Sequence, residues 1–329
     1  VNRPSLPAGG TPAPGAGTPL VVVALGGNAS YPPNIRGTAQ EQLDIIAGLT
    51  EQLLEIVERG YRLVLTHGNG PVVGNILFRM ARTASELPPM PMDVCVAHSQ
   101  GGMGYMFQQS FANTLTRHGV DREVVSLVTQ VEVDRDDPAF SHPTKPVGKF
   151  FSQAEAERMA EQTGWTFAED AGRGWRRVVA SPRPRQILEL GAIRSLLDAG
   201  VVPIATGGGG VPVVRLPDGQ LEGVAAVIDK DLTSALLAAR LGAETLLLIT
   251  GVERVAIDFG TPAQRFVDHL SAAEARALLE AGQFPPGSMG PKIQAALDYL
   301  AAGGRRVLIT SLEHAFAAVQ GRAGTCIEA

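Results

Sequence analysis

Short runs of β-branched and apolar residues alternate along this chain with stretches in which apolar side chains recur every three or four positions. Leu20–Leu25 is apolar throughout, as expected of a strand buried on both faces. Thr38 and Glu41 have the spacing of a capping box, after which Leu43, Ile46, Leu49, Leu53 and Ile56 share one helical face until Gly60. Residues 62–66 predict a second strand, followed by the turn His67-Gly68-Asn69-Gly70, with Pro71 suited to the first turn of a helix. A long helical stretch leads to Gly119, and residues 123–133 predict one further strand, with Val125, Leu127 and Val131 at alternating positions.

The rhythm breaks over residues 134–180, which carry Pro138, Pro143, Pro146 and both tryptophans and predict an inserted lid outside the main sheet. Beyond it come a helix to Ala199, a strand over 201–206, a hairpin turning at Pro217-Asp218-Gly219, and a helix with Asp231 as N-cap. A strand over 245–250, a second capping box of Ser271 and Glu274, a helix starting at Pro291, and strands Arg306–Thr310 and Thr325–Glu328 complete the pattern. Alternating strands and helices predict an α/β fold of three layers, with helices on both faces of a mainly parallel sheet and the lid protruding.

Composition narrows the class of protein. A hydrophobic fraction of 45% with 19% charged residues is ordinary for a globular chain. The net charge of -5, without a long run of like charges, speaks against a nucleic-acid partner. The apolar runs are strand-sized, below the ~18 residues that suggest a membrane span. Cys95 and Cys326 are far apart and form no CxxC, which fits a reducing, cytoplasmic compartment. Residues 1–19, rich in Pro, Gly, Ala and Thr, do not read as a secretion signal and are expected to form a disordered tail.

In open α/β sheets, ligands bind beyond the carboxyl ends of the strands, where four glycine-rich segments are predicted: Gly26-Gly27-Asn28, Gly68-Asn69-Gly70, residues 207–210, and Gly287-Ser288-Met289-Gly290. One such loop is an ordinary tight turn. Four together suggest backbone N–H groups gathered around an anion. Neither GxxxxGK[ST] nor GxGxxG is present, so a P-loop enzyme is disfavoured. Positive charge for phosphoryl transfer must then come from Lys145 between two prolines, Lys230 in Asp229-Lys230-Asp231, and Lys292 after a glycine turn. A competing reading takes Ala97-His98-Ser99-Gln100-Gly101 as a nucleophile elbow, with Ser99 completed by a later Asp and His269 or His314, and needs residues 94–97 to be a strand. Against it, Asp93 can cap a helix running through Gln109, in which small residues allow close packing to the sheet or a dimer partner. A third reading is a non-catalytic sensor of small anions. His67, His118 and His142 form no metal-binding spacing, and no protein metal site is expected.

The segments Val22-Val23-Ala24-Leu25-Gly26-Gly27-Asn28-Ala29, Thr66-His67-Gly68-Asn69-Gly70-Pro71, Ser99-Gln100-Gly101, Thr129-Gln130-Val131, Pro143-Thr144-Lys145-Pro146-Val147-Gly148, residues 207–212, Val227-Ile228-Asp229-Lys230-Asp231 and residues 287–292, in this order, resemble carbamate kinase. The resemblance implies an amino-acid-kinase fold, a homodimer, and reversible transfer between carbamoyl phosphate and ADP giving ATP and carbamate, with Mg²⁺, in arginine metabolism. It implies an acceptor lobe of residues 20–222 including the lid, and a nucleotide lobe of residues 223–329. It also implies that Gly26, Gly27, Asn28, Gly68, Asn69 and Gly70 hold carbamoyl phosphate, with Lys145 reaching in from the lid. Lys230 and Lys292 would bridge the transferring phosphoryl, and Asp229 would orient the lysines. Gly207, Gly208, Met289, Gly290 and Lys292 would meet the nucleotide, with residues 250–259 near the base. Two departures bear on substrates: Ala256 and Asp258 stand where the family commonly has tyrosine and asparagine, and residues 30–35 differ from the usual segment. The first concerns nucleotide preference and the second the acceptor, which in a related enzyme would be another small anion.

Overall fold

The computed structural model describes residues 17–32, 35–170, 172–285 and 287–329; most of the expected tail, residues 1–16, lies outside the described residues. An eight-stranded sheet runs in the order His269–Ser271, Thr325–Glu328, Arg306–Thr310, Thr245–Ile249, Leu20–Leu25, Arg62–His67, Val202–Ile204, Val124–Ser126. Its pairs are parallel except Arg306–Thr310 with Thr325–Glu328. The first strand lies mid-sheet and pairs with Thr245–Ile249, so the two anticipated lobes share one continuous sheet.

Alternation along that first strand builds both cores. Val21, Val23 and Leu25 point into a layer with the helices Ala39–Glu58 and Met92–Arg117, through Leu53, Phe107 and Phe111. Leu20, Val22 and Ala24 point the other way, toward the helices Leu190–Asp198, Lys230–Leu241 and Met289–Ala301, through Ile193, Leu237 and Ile293. This is the three-layer arrangement that the sequence rhythm predicts. Both capping boxes form: Thr38 accepts from the Glu41 amide and Ser271 from the Glu274 amide, each glutamate returning to its cap.

Three local expectations are corrected. Residues 123–133 are not one strand. Val124–Ser126 belongs to the main sheet, and Gln130–Val133 to a second sheet with Pro184–Ile187, Val211–Arg215 and Leu221–Gly223. The break is enforced at Thr129, whose amide donates to Gln100 Oε1 (2.8 Å) while its hydroxyl turns back to the Leu127 carbonyl (3.1 Å). The helix Lys230–Leu241 is capped by Asp229, whose side chain accepts from the Asp231 amide (2.9 Å), so Asp231 is free of the capping task. The helix expected from Pro291 starts two residues earlier, at Met289.

The lid is a three-stranded antiparallel sheet of Lys145–Phe151, Phe167–Glu169 and Trp175–Val179, with the helix Gln153–Thr163. It shares a core with the body, where Val147 and Val179 join Val73, Leu77, Cys95 and Val96. A Cβ on Gly74, in the helix Gly70–Thr83, would lie 2.1 Å from the Gly148 backbone, and Gly148 itself has φ +75. Only two glycines permit so close a passage. Gly74→Ala is therefore expected to lose about 1–3 kcal/mol of stability through overpacking, read as a lower thermal midpoint together with faster proteolytic nicking of the lid.

Candidate functional site

The carboxyl ends of Leu20–Leu25, Arg62–His67 and Thr245–Ile249 open into a cleft of about 460 Å³. Gly26, Gly27, Asn28, Gly68, Asn69 and Gly70 line one side, Lys145 and Pro146 of the lid a second, and Asp229, Lys230, Asp231 and Lys292 the floor. The first two glycine loops touch: a Cβ on Gly68 would fall 2.7 Å from the Gly27 nitrogen, so the backbones meet with no room for side chains. A roomier groove of about 610 Å³ on the outer face, between the helices Lys230–Leu241 and Met289–Ala301, is lined largely by Leu and Ala with Arg183, Arg240 and Asp298 and lacks this convergence of charge.

The chain has only four lysines, and three of them meet here. Lys145 Nζ donates to Asp229 Oδ2 (2.7 Å) across the lid boundary. Lys230 Nζ bonds Asp231 Oδ1, and Lys292 Nζ reaches Asp231 Oδ2 (3.2 Å). Two carboxylates thus hold three ammonium groups, leaving a net charge of +1 in a poorly solvated place. Burial by itself would raise the Asp229 carboxyl, but the Lys145 charge and hydrogen bond, with the Lys230 charge, hold it well below the usual range. Asp231 behaves alike, with burial outweighed by Lys230 and Lys292. Burial, with the like charge of Lys292 adding to it, pushes the Lys230 ammonium below its ordinary value despite Asp231. Lys230 and Lys292 also stand in the first turns of two helices, where the helix dipole opposes a cation. An arrangement this costly is suited to meet an anion.

Around the floor, buried polar contacts fix the loops. Asn69 Nδ2 donates to Ser99 Oγ (2.8 Å), and Ser99 Oγ donates to the Val96 carbonyl (2.6 Å). Ser99 lies inside the helix Met92–Arg117, so residues 94–97 are not a strand and there is no nucleophile elbow. His269 faces Glu328 and His314 faces Ser311, both remote from Ser99 in the contacts they make. The expected close packing of small residues holds only in part. A Cβ on Gly101 or Gly102 would meet nothing among the described residues, while Gly104 passes against Ser126. Gln100 Nε2 donates to the carbonyls of Thr129 (3.1 Å) and Gly207 (2.8 Å), tying that helix to the third glycine loop. His67 stacks on Phe107 at 5.3 Å, and burial lowers its pKa to about 4, so it stays neutral.

Of the residues expected to meet the nucleotide, Gly208 and Lys292 line the cleft, whereas Gly207, Met289 and Gly290 do not. Gly207 packs on His67 and Gln100, Met289 on the main core, and Gly290 on the Pro285 carbonyl. Thr250, Gly251 and Ser288 line the cleft in their stead. Two residues escaped the sequence reading of the site. Asp231, taken as a cap, is the carboxylate shared by two lysines, a role that the Asp-Lys-Asp run could have suggested. Arg176, on a lid strand, also lines the cleft, and nothing distinguished it among the chain's many arginines.

Fold and site together define a phosphotransferase-type architecture built on glycine loops and lysines, and the chain belongs to the amino acid kinase family, which residues 19–311 match. Within that family it is similar to carbamate kinases. It is 48% identical to the carbamate kinase-like protein YahI of Escherichia coli, over 94% of this chain and 98% of that one. It is 45% identical to the carbamate kinase of Pyrococcus horikoshii, over 93% and 98%. Carbamate kinase from Giardia lamblia, 42% identical over 95% of this chain and 99% of its own, superposes with TM-score 0.90 when bound to citric acid and 0.87 when bound to AMP-PNP.

Asp231→Asn should leave Lys230 and Lys292 facing each other without the carboxylate they share, a loss of about 3–5 kcal/mol by analogy with broken buried pairs. The thermal midpoint should fall, and added inorganic phosphate should restore part of it. His67 gives a second outcome. Its folded pKa of about 4 lies below the ordinary 6.5. As pH falls through that window the unfolded chain takes up a proton that the folded chain refuses, so stability drops by roughly 3 kcal/mol. Urea midpoints for the wild type and His67→Asn should diverge between those pH values; a constant difference would mean that His67 is protonated in the fold.

Proposed function

We propose that this protein is a carbamate kinase, catalysing reversible phosphoryl transfer between carbamoyl phosphate and ADP to give ATP and carbamate. The observation that carries this reading is the cluster in which Asp229 and Asp231 hold Lys145, Lys230 and Lys292 around one cleft. The near-full-length likeness to carbamate kinases adds to it.

Phosphoryl transfer through a loose transition state asks a protein for alignment and for charge at the equatorial oxygens. The touching loops at Gly27 and Gly68 and the N-terminus of the helix Gly70–Thr83 offer backbone N–H groups to carbamoyl phosphate. Lys230 and Lys292 bridge the moving phosphoryl, and Lys145 reaches it from the lid while Asp229 sets its direction. An ammonium ~4 Å from a phosphate charge is worth on the order of 4 kcal/mol at an effective dielectric near 20. The attacking oxygen of carbamate or of ADP is already anionic, so neither general base nor covalent intermediate is required. The nucleotide lies over Thr250, Gly251 and Ser288, with Gly208 and Lys292 near its phosphates.

Both floor carboxylates are engaged by lysines, so the donors best placed to take a hard cation are the nucleotide's own phosphate oxygens. Mg²⁺ bound in that way neutralises phosphate charge. A homodimer is part of the same proposal: Tyr105 and Val128, exposed by 57% and 55%, stand within two residues of Gly104 and Ser126, which pass closely, and are the apolar side chains proposed to meet a second copy there. Among the described residues no helix is long and apolar enough to cross a membrane.

The test is ATP formation from ADP, Mg²⁺ and carbamoyl phosphate, run beside Lys292→Ala. The variant should fold and lose about 10²–10³ in kcat, the scale of removing one preorganised electrostatic contact. ATP formation that persists undiminished in Lys292→Ala would refute the assignment. Nucleotide binding without ATP formation would redirect it to another acceptor.

A further inference from the structure

Arg176 lines the cleft away from the lysine cluster, and its charge is only partly compensated by the described residues. It stands on the lid strand Trp175–Val179 with its side chain only 14% exposed. Its Nη1 donates to Asp170 Oδ2 (3.1 Å), but Asp170 also binds Arg173 through Oδ1 (2.7 Å), so one carboxylate serves two guanidinium groups. Arg173 is 59% exposed and solvated, whereas Arg176 is not. The buried Nε of Arg176 has no hydrogen-bond partner among the described residues. Burial lowers the pKa of the group in spite of Asp170. A desolvated cation with donors to spare, lining a ligand cleft, lacks an anionic or strongly polar partner that the fold does not supply.

The three lysines already converge beside the glycine loops, where a phosphoryl group would be surrounded by point charges. A guanidinium differs in being a planar fork that matches a planar group with two acceptors, such as carboxylate or carbamate. Phe150, with its ring centre 5.2 Å from the Arg176 guanidinium carbon, and Asp170 hold that fork in place. We propose that Arg176 donates to the oxygens on the planar carbon of the substrate, the two carboxylate oxygens of carbamate or the carbonyl and ester oxygens of carbamoyl phosphate, and so selects a carboxylate-type acceptor rather than contributing to the phosphoryl site. This rests on the reaction proposed above and names the part of the substrate that Arg176 reads.

The test compares Arg176→Met and Arg176→Lys with the wild type. In Arg176→Met, KM for carbamoyl phosphate should rise roughly tenfold or more while KM for ADP and kcat stay within about threefold, as expected for the loss of one charge-assisted hydrogen bond to a single substrate. Arg176→Lys keeps the charge and the stem but not the fork, and should remain impaired for carbamoyl phosphate; it also carries the test if the methionine variant melts without cooperativity. Calorimetric titrations with carbamoyl phosphate and with inorganic phosphate separate the two ends of the substrate. Affinity for carbamoyl phosphate should fall and affinity for inorganic phosphate should hold. Equal losses for both probes, a parallel rise in KM for ADP, or an unchanged KM for carbamoyl phosphate in a folded variant would overturn the proposal. A wild-type protein that makes no ATP but binds carbamoyl phosphate in an Arg176-dependent way would sink the kinase reading while leaving this one standing. A wild-type protein that binds neither probe would sink both.

Discussion

Two carboxylates sharing three lysines is the constraint around which this molecule is arranged. Asp229 and Asp231 are two residues apart at the start of one helix, yet they reach the lid through Lys145 and the next helix through Lys292. Removing such ions from water costs several kcal/mol each, and their mutual attraction offsets this only when geometry is held closely. The main sheet supplies that geometry. Its buried strands end at a common edge, from which the loops at Gly27 and Gly68 and the helices behind them all face one cleft. The lysines lower the pKa of both aspartates against the effect of burial, so at neutral pH the carboxylates are ionised, while burial pushes Lys230 below its ordinary value and Asp231 opposes that.

The lid is part of this device rather than an ornament on it. Its inner face shares a core with the helices Gly70–Thr83 and Met92–Arg117, and the Gly74–Gly148 passage sets the distance between lid strand and helix. Lys145 lies three residues before Gly148, so its reach toward Asp229 is set by backbone packing more than by its own flexible stem. Behind the loops, Gln100 and Ser99 do comparable work. One side chain pins Thr129 and Gly207, and the other holds the amide of Asn69. Ser99 thereby fixes the loop whose Gly68 passes beside Lys230, and Gln100 fixes the loop whose Gly208 lines the cleft.

Much of the architecture was legible in local pattern. Period-two and period-three-to-four recurrence of apolar residues marked the strands and helices, Thr38 with Glu41 and Ser271 with Glu274 marked two helix starts, and glycine runs marked where ligands would approach. Such signals arise from interactions between residues a few positions apart, which is why a sequence carries them openly. The same locality explains the errors. Residues 123–133 have an unbroken strand pattern, and side chains arriving from elsewhere, Gln100 on the Thr129 amide and Glu189 on the Gln130 amide, mark where they divide between two sheets.

The sequence by itself determined the α/β rhythm, the lid's position in the chain and the identity of the lysines and glycines. Tertiary structure decided which of them meet. Lys145 lies 84 residues from Asp229, and Lys292 lies 61 from Asp231. Gly207 and Gly290, as glycine-rich in context as Gly27 and Gly68, turn out to pack against neighbours rather than line the cleft. Arg176 became visible only through the carboxylate it has to share. Convergence of distant charges depends on how strands are ordered in a sheet and how closely helices pass one another, and those relations are properties of the folded chain that no local pattern encodes.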